Sequence, residues 1–266
     1  MGKLVLGLFL LVLLFGCTQQ TINQEKVSSG RVVFVVTDAA ADMKIATNVK
    51  LTFDSVEVHS NTEGWTNVSS TPKTYDLLQL TEGHKVILAD VQLKEGTYQQ
   101  VRLDVSKVVV TDASGDHEAK LPSGELKIVG ELVVKSNTTT AVTFDFIMNE
   151  SLHVTGNGKY ILAPVVRLEI HEDADIKPQP YGKFEVIGKL KTNVKVGMDI
   201  NGNFGTGLSI PKGSELSIEN DKVKVGARIT GAAVSEKPKV VVRDLSSDSG
   251  DDGGIVDIEG YSIVNQ

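Results

Sequence analysis

Cysteine is almost missing from this chain: among 266 residues there is one, Cys17. A lone cysteine forms no intrachain disulfide, and if it carries lipid the mature chain has no free thiol. Thiolate zinc sites, cysteine nucleophiles and CxxC redox chemistry are then excluded. A secreted fold without such staples must rest on a sizeable apolar core. Aromatic residues make up 5% and include a single tryptophan. That scarcity argues against stacked-base recognition or an aromatic sugar platform as the dominant mode of binding. Basic residues are short too, 27 Lys and Arg against 34 Asp and Glu, for a formal charge of −7. Nucleic acid is therefore not an expected partner, since phosphate binding needs clustered Lys and Arg. Helical periodicity is nearly absent, and beyond the N-terminus no apolar run is long enough to span a bilayer.

What is present begins with MGKLVLGLFLLVLLFGC. Lys3 supplies a positive start, residues 4–15 are unbroken apolar sequence, and Gly16-Cys17 ends the run. The apolar stretch is short for a permanent span but suits a cleaved signal, and its ending suits a lipoprotein. We expect residues 1–17 to be a signal with Cys17 lipidated, and 18–30 to be a polar tether. The folded part then faces the extracytoplasmic side, held to the cell membrane by lipid. An ordinary signal that happens to contain a cysteine is the alternative.

From residue 31 the pattern is one of short strands. Residues 31–37 (RVVFVVT) are too continuously β-branched to be half-exposed and read as a core strand. Residues 49–59 alternate, but the apolar phase slips between Phe53 and Val56, which predicts a bulge near Asp54-Ser55. Trp65 falls in a polar loop, and 38–44 could form one helical turn capped by Thr37 or Asp38. Runs at 86–93, 98–105, 108–110, 126–134, 141–146 and 160–170 continue the series, with Glu95-Gly96 as a turn and Pro164 as a mark of an edge or bulge. Many short strands with Gly and Asn turns give an all-β fold: an antiparallel β-sandwich over 31–176. The charged stretch 171–180, with Pro178 and Pro180, reads as an interdomain linker centred on 177–182. Residues 183–266 then form a smaller β-barrel-like domain of the OB type, or a small sandwich, with Asn201-Gly202 as a hairpin turn.

Several landmarks between 31 and 175 occur in a particular order: Thr37-Asp38-Ala39-Ala40-Ala41-Asp42, Val56-Glu57-Val58-His59, Trp65, Asp76-Leu77-Leu78-Gln79-Leu80, Gly96-Thr97-Tyr98 with Val101-Arg102-Leu103, and Tyr160-Ile161-Leu162-Ala163-Pro164-Val165-Val166-Arg167. Together they resemble the prokaryotic lipoprotein domain family called domain of unknown function 4382. Ala40 stands where that family often has proline, and Ala163 where lysine is frequent. The resemblance implies an extracytoplasmic β-rich domain and brings no activity with it. Residues 181–266 lie outside it.

No G-x-S-x-G elbow is present, and no H-x-H or H-E-x-x-H joins the five histidines His59, His84, His117, His153 and His171. Asp199-Ile200-Asn201-Gly202-Asn203 begins like a calcium loop, but Phe204 and Ile210 occupy two places a calcium loop needs, so it reads as a hairpin. Asp38 and Asp42 could share a helical face and hold a cation, though a capped turn is the plainer reading. Asp244, Asp248, Asp251 and Asp252, spaced by Ser and Gly, form the one candidate cation-binding loop, weighed against a metal-free soluble loop. The sequons at Asn67, Asn137 and Asn149 are about as many as chance supplies. We therefore expect no catalysis and no cofactor. The chain reads as a lipid-anchored surface protein that binds an extracellular ligand or an envelope component, with a purely structural role or a hydrolase of cell-surface polymer as the alternatives.

Overall fold

The computed structural model describes residues 28–39, 43–81, 83–180 and 183–226, and most of them are strand. In chain order these are β1 (Ser29–Asp38), β2 (Asn48–Ser60), β3 (Gly64–Ser69), β4 (Lys73–Asp76), a 3-10 turn (Leu77–Gln79), β5 (Val86–Lys94) and β6 (Gly96–Asp112). There follow β7 (Gly115–Glu118), β8 (Glu125–Val134), β9 (Thr139–Phe146), the one-turn helix α1 (Met148–Ser151), β10 (Leu152–Val154) and β11 (Tyr160–Leu162). The last five are β12 (Val165–Pro178), β13 (Phe184–Met198), β14 (Phe204–Thr206), β15 (Leu216–Glu219) and β16 (Lys222–Val225).

Two large sheets face each other. One has the order β14-β13-β12-β9-β1-β5. In the other, the long strands β2 and β6 form the centre, with β3 and β4 along the free side of β2 and β7 and β8 along that of β6. The reading of 31–37 as a core strand holds: Val32 to Val36 are fully buried, and β1 lies between β5 and β9. The sandwich is not purely antiparallel, because β1 and β9 run parallel, from Arg31 opposite Thr139 to Asp38 opposite Phe146. No hairpin joins them. The chain visits the second sheet in between, so nothing forces the two directions to alternate.

Alternation decides which side chains fill the gap. Val49, Leu51, Phe53, Val56 and Val58 of β2 meet Phe34, Phe144, Phe146 and Leu168 of the first sheet in one apolar core. The Phe53 and Phe146 rings meet edge-on across that gap at 5.9 Å, a favourable aromatic geometry. The expected bulge is present. Register between β2 and β6 shifts on both sides of Phe53, and Asp54 and Ser106 are the residues left over, one on each strand. Ser106 Oγ donates to Asp54 Oδ1 at 2.8 Å, so the two bulged residues hold each other. At Glu95-Gly96 the chain turns, but it passes from the first sheet to the second, since β5 pairs with β1 and β6 with β2.

Where the linker was expected, over 177–182, the described residues on either side of 181 and 182 pair as a hairpin. Lys177 pairs with Glu185 and Pro178 with Phe184, and Gln179 N–H donates to the Lys183 carbonyl at 2.8 Å. Of the charges that suggested a break, Asp173, Asp175 and Lys177 are exposed on a long two-stranded arm, whereas Glu172 is buried and pairs with Lys135 at 2.8 Å. The separate OB-type barrel is corrected for the same reason within the described residues. Strand β13 adds to the first sheet along β12, β14 adds to β13, and Leu216 and Val223 of the β15–β16 hairpin join the same core. Among the described residues this unit runs to Gly226, and 227–266 lie outside them.

Candidate functional site

The outer face of the second sheet follows from the same alternation. Where 56, 58 and 60 of β2 point into the core, 55, 57 and 59 point away from it, and the register lines them up with outward residues of three neighbouring strands. Trp65, His59, Gln100 and Val129 form one row across β3, β2, β6 and β8. Asn67, Glu57, Arg102 and Lys127 form the next, followed by Ser55, Asp104 and Glu125. Trp65 therefore belongs to strand β3 and not to a loop, and it is 36% exposed. Its indole meets the His59 ring edge-on at 5.1 Å. The Arg102 guanidinium carbon lies 4.4 Å from the indole centroid and Lys127 Nζ 5.4 Å, both within cation–π range.

Charge on this face is interleaved. Arg102 is paired with Glu57, and its guanidinium also lies 3.5 Å from Glu125 and 3.9 Å from Asp104. Ser55 Oγ donates to Asp104. Three covered polar atoms have no hydrogen-bond partner: His59 Nδ1, Gln100 Oε1 and Arg102 Nε. Arg102 Nε lies 3.9 Å from Asp104 Oδ1, while His59 Nδ1 and Gln100 Oε1 face no protein partner. Val129, at the end of the first row, is 71% exposed.

A second group sits at one end of the first sheet. Asp38, only 4% exposed, ends β1 and accepts the Met148 N–H through Oδ1 at 3.3 Å. It thus caps α1 from another strand, whereas the sequence suggested a cap on the turn that follows it. Burial pushes its carboxyl up to about 7, with the Asp145 charge adding to the shift. Asp145 faces Arg167 at 3.2 Å and is itself raised by burial. The free oxygens Asp38 Oδ2 and Asp145 Oδ1 have no hydrogen-bond partner. Asp42, the other half of the expected carboxylate pair, lies outside the described residues.

A third group contains the residue types of a nucleophilic relay, Asp112, Ser114 and His117. Its geometry is wrong for one. Ser114 Oγ at 2.8 Å and Asp112 Oδ1 at 3.1 Å both address His117 Nε2, while a relay needs the two partners on opposite ring nitrogens. Asp112 instead ties down the β6–β7 turn. It accepts from Ser114 N–H and Oγ, from His117 and from the Tyr160 hydroxyl, which hold it well below the usual carboxylate range. Burial and that hydrogen bond push Tyr160 up to about 12. A cleft of about 490 Å³ opens beside it, with Lys120, Lys159 and Asp221 on its walls, where Lys120 and Asp221 already pair at 2.7 Å.

The Asp199–Asn203 segment is the expected hairpin turn. Asp199 accepts from Asn201 N–H, Asn203 N–H and the Asn203 amide at 2.8, 2.9 and 2.8 Å, which leaves it little capacity for a cation. Among the described residues no three His, Cys, Asp or Glu side chains converge as a ligand set. Cys17 and the loop with Asp244, Asp248, Asp251 and Asp252 lie outside the described residues. The sequon residues Asn67, Asn137 and Asn149 are all exposed, and Asn67 borders the Trp65 face. Sequence reasoning missed that face because Trp65 stands in a polar stretch. The signal was there in the outward positions 57, 59, 100, 102 and 127, once their register is known.

Neither a curated protein nor a solved structure matches the chain. The profile of one family, described as Domain of unknown function (DUF4382), matches residues 29–164. That range runs from the start of β1 to the residue before β12, so it takes in the whole second sheet and its Trp65 face. It covers just over half of the chain, and the protein belongs to the DUF4382 family.

Proposed function

We propose that the protein is a lipid-anchored, extracytoplasmic binding module without catalysis, and that it holds an envelope component on the outer face of its second sheet. The observation that carries this is the row of Trp65, His59, Gln100 and Val129 beside the Arg102–Glu57 pair. An indole, an exposed valine and three unpartnered polar atoms gather on a face that adds nothing to the core. Exposed aromatics with convergent polar groups are what a recognition surface needs. The N-terminal sequence ending in Gly16-Cys17 supports the membrane address, and no helix among the described residues is long and apolar enough to cross a bilayer.

Co-sedimentation with envelope particles tests the reading. Wild-type protein should pellet with particles from cells lacking the gene, and Trp65→Ala should reduce the bound fraction at least fivefold with an unchanged melting curve. Equal binding by the two proteins would remove this face from the function.

A further inference from the structure

Given that this face is the binding surface, its chemistry selects among ligands. We infer that it takes a neutral polysaccharide, with hydroxyls exchanged with His59, Gln100 and Arg102 and one sugar ring stacked on the Trp65 indole, a single ring rather than the aromatic platform that the scarcity of aromatics argues against.

Charge comes first. The acids Glu57, Asp104 and Glu125 stand among the bases Arg102 and Lys127, and Arg102 is within 4 Å of all three. A polyanion would have to displace Glu57 from Arg102 and would still meet two further carboxylates. A polycation would meet Arg102 and Lys127 against the Trp65 ring. A ligand without formal charge disturbs neither arrangement.

Shape comes second. The face is the flat side of a sheet carrying one exposed ring and one exposed valine. Grooves that take an amphipathic helix offer a file of apolar pockets, and these rows offer none. A pyranose presents a flat C–H face to an indole and hydroxyls at its rim, which matches a single ring set among polar side chains.

The orphaned atoms come third. Gln100 Oε1 can only accept a hydrogen bond and Arg102 Nε–H can only donate, while His59 Nδ1 does either according to tautomer. A partner for this mixed set must both donate and accept, as a hydroxyl does and a carboxylate, phosphate or ammonium does not. These atoms are covered in the free protein, and two of the three belong to residues in ring contact with Trp65. A shift of the indole toward a bound sugar uncovers them.

Trp65 is the only tryptophan, so tryptophan emission, excited where tyrosine does not absorb, reports this site alone. The full chain, kept in a detergent without a sugar headgroup, is titrated with cellohexaose, chitohexaose and mannohexaose, and in parallel with dextran sulfate. At least one neutral hexasaccharide should give a saturable change in Trp65 emission. Calorimetry should show binding weakened about tenfold or more by Trp65→Ala and within about threefold of wild type for Trp65→Phe, which restores a stacking ring. Gln100→Ala should weaken it without altering the melting temperature. Saturable binding of dextran sulfate alone would overturn the proposal, as would neutral binding that Trp65→Ala leaves intact. A dimer by light scattering that Trp65→Ala dissolves would overturn it as well, by showing a second copy on this face. Loss of envelope binding in Trp65→Ala with no response to any neutral glycan would refute the ligand class and leave the binding face standing.

Discussion

Replacing Asp38 by asparagine removes a titration without removing the acceptor that caps α1. Asp38 is 4% exposed, and in the folded protein its carboxyl rises from an ordinary 3.8 to about 7, chiefly through burial. Between those two values the native chain holds a proton there that the unfolded chain has released. Asp38 therefore contributes stability that is full below the unfolded value and is lost as pH rises through about 7. A shift of that size corresponds to about 4 kcal/mol over the whole range, and to about 2 kcal/mol between pH ~5.5 and ~8.5. The contribution from His153, held below its usual value by burial, runs the opposite way in acid and cancels when the two proteins are compared at the same pH. The substituted asparagine carries no charge at either pH, and its amide oxygen still faces the Met148 N–H. Urea unfolding followed by far-ultraviolet circular dichroism gives both stabilities at both pH values. We expect wild type to lose about 2 kcal/mol more than Asp38→Asn on going from pH ~5.5 to ~8.5. Parallel profiles for the two proteins would show that Asp38 is not a buried, proton-holding carboxyl and would refute the reasoning.

Other outcomes follow from the packing and the N-terminus. Cys17→Ala should move the protein from the detergent to the aqueous phase in a phase-partition assay, and a wild-type peptide beginning at Cys17 without lipid mass would exclude the anchor. Gly197→Ala should destabilise the domain by about 2 kcal/mol or more in urea, because a Cβ there would run into the Leu208 carbonyl oxygen beside β13; a neutral result would show that the contact relaxes freely. Phe53→Ala, which empties a buried ring site at the centre of the core, should cost about 3–5 kcal/mol, and a cost below about 1 would place that ring outside the core. Proteolytic nicking within 179–183 should leave two fragments that co-elute on gel filtration, since β12 and β13 stay paired on either side of the cut. Separation of the fragments into independent folded bodies would restore the linker reading.

How much was legible varied with the range of the interaction involved. Side-chain period and β-branching are local properties, so the strand identity of 31–37, the alternation of 49–59 and the bulge near Asp54 could be read one stretch at a time. The turn at Asn201-Gly202 was legible for the same reason, because Asp199 satisfies its own neighbours. Prolines and charges at 171–180 misled because they report only that a backbone is exposed, and the tip of a hairpin is exposed as a linker is. Whether β12 and β13 pair depends on residues on opposite sides of that tip finding a common register, which no single stretch contains. The Trp65 face shows the same division. Sequence alone determined that the chain is all-β and acidic, that it opens on an apolar run ending in Gly16-Cys17, and that it carries one cysteine and one tryptophan. Only the tertiary structure decided that this tryptophan shares a surface with His59, Gln100, Arg102 and Lys127, because strand register brings residues as far apart in sequence as 57, 102 and 127 side by side, and register is set by the pairing of whole strands.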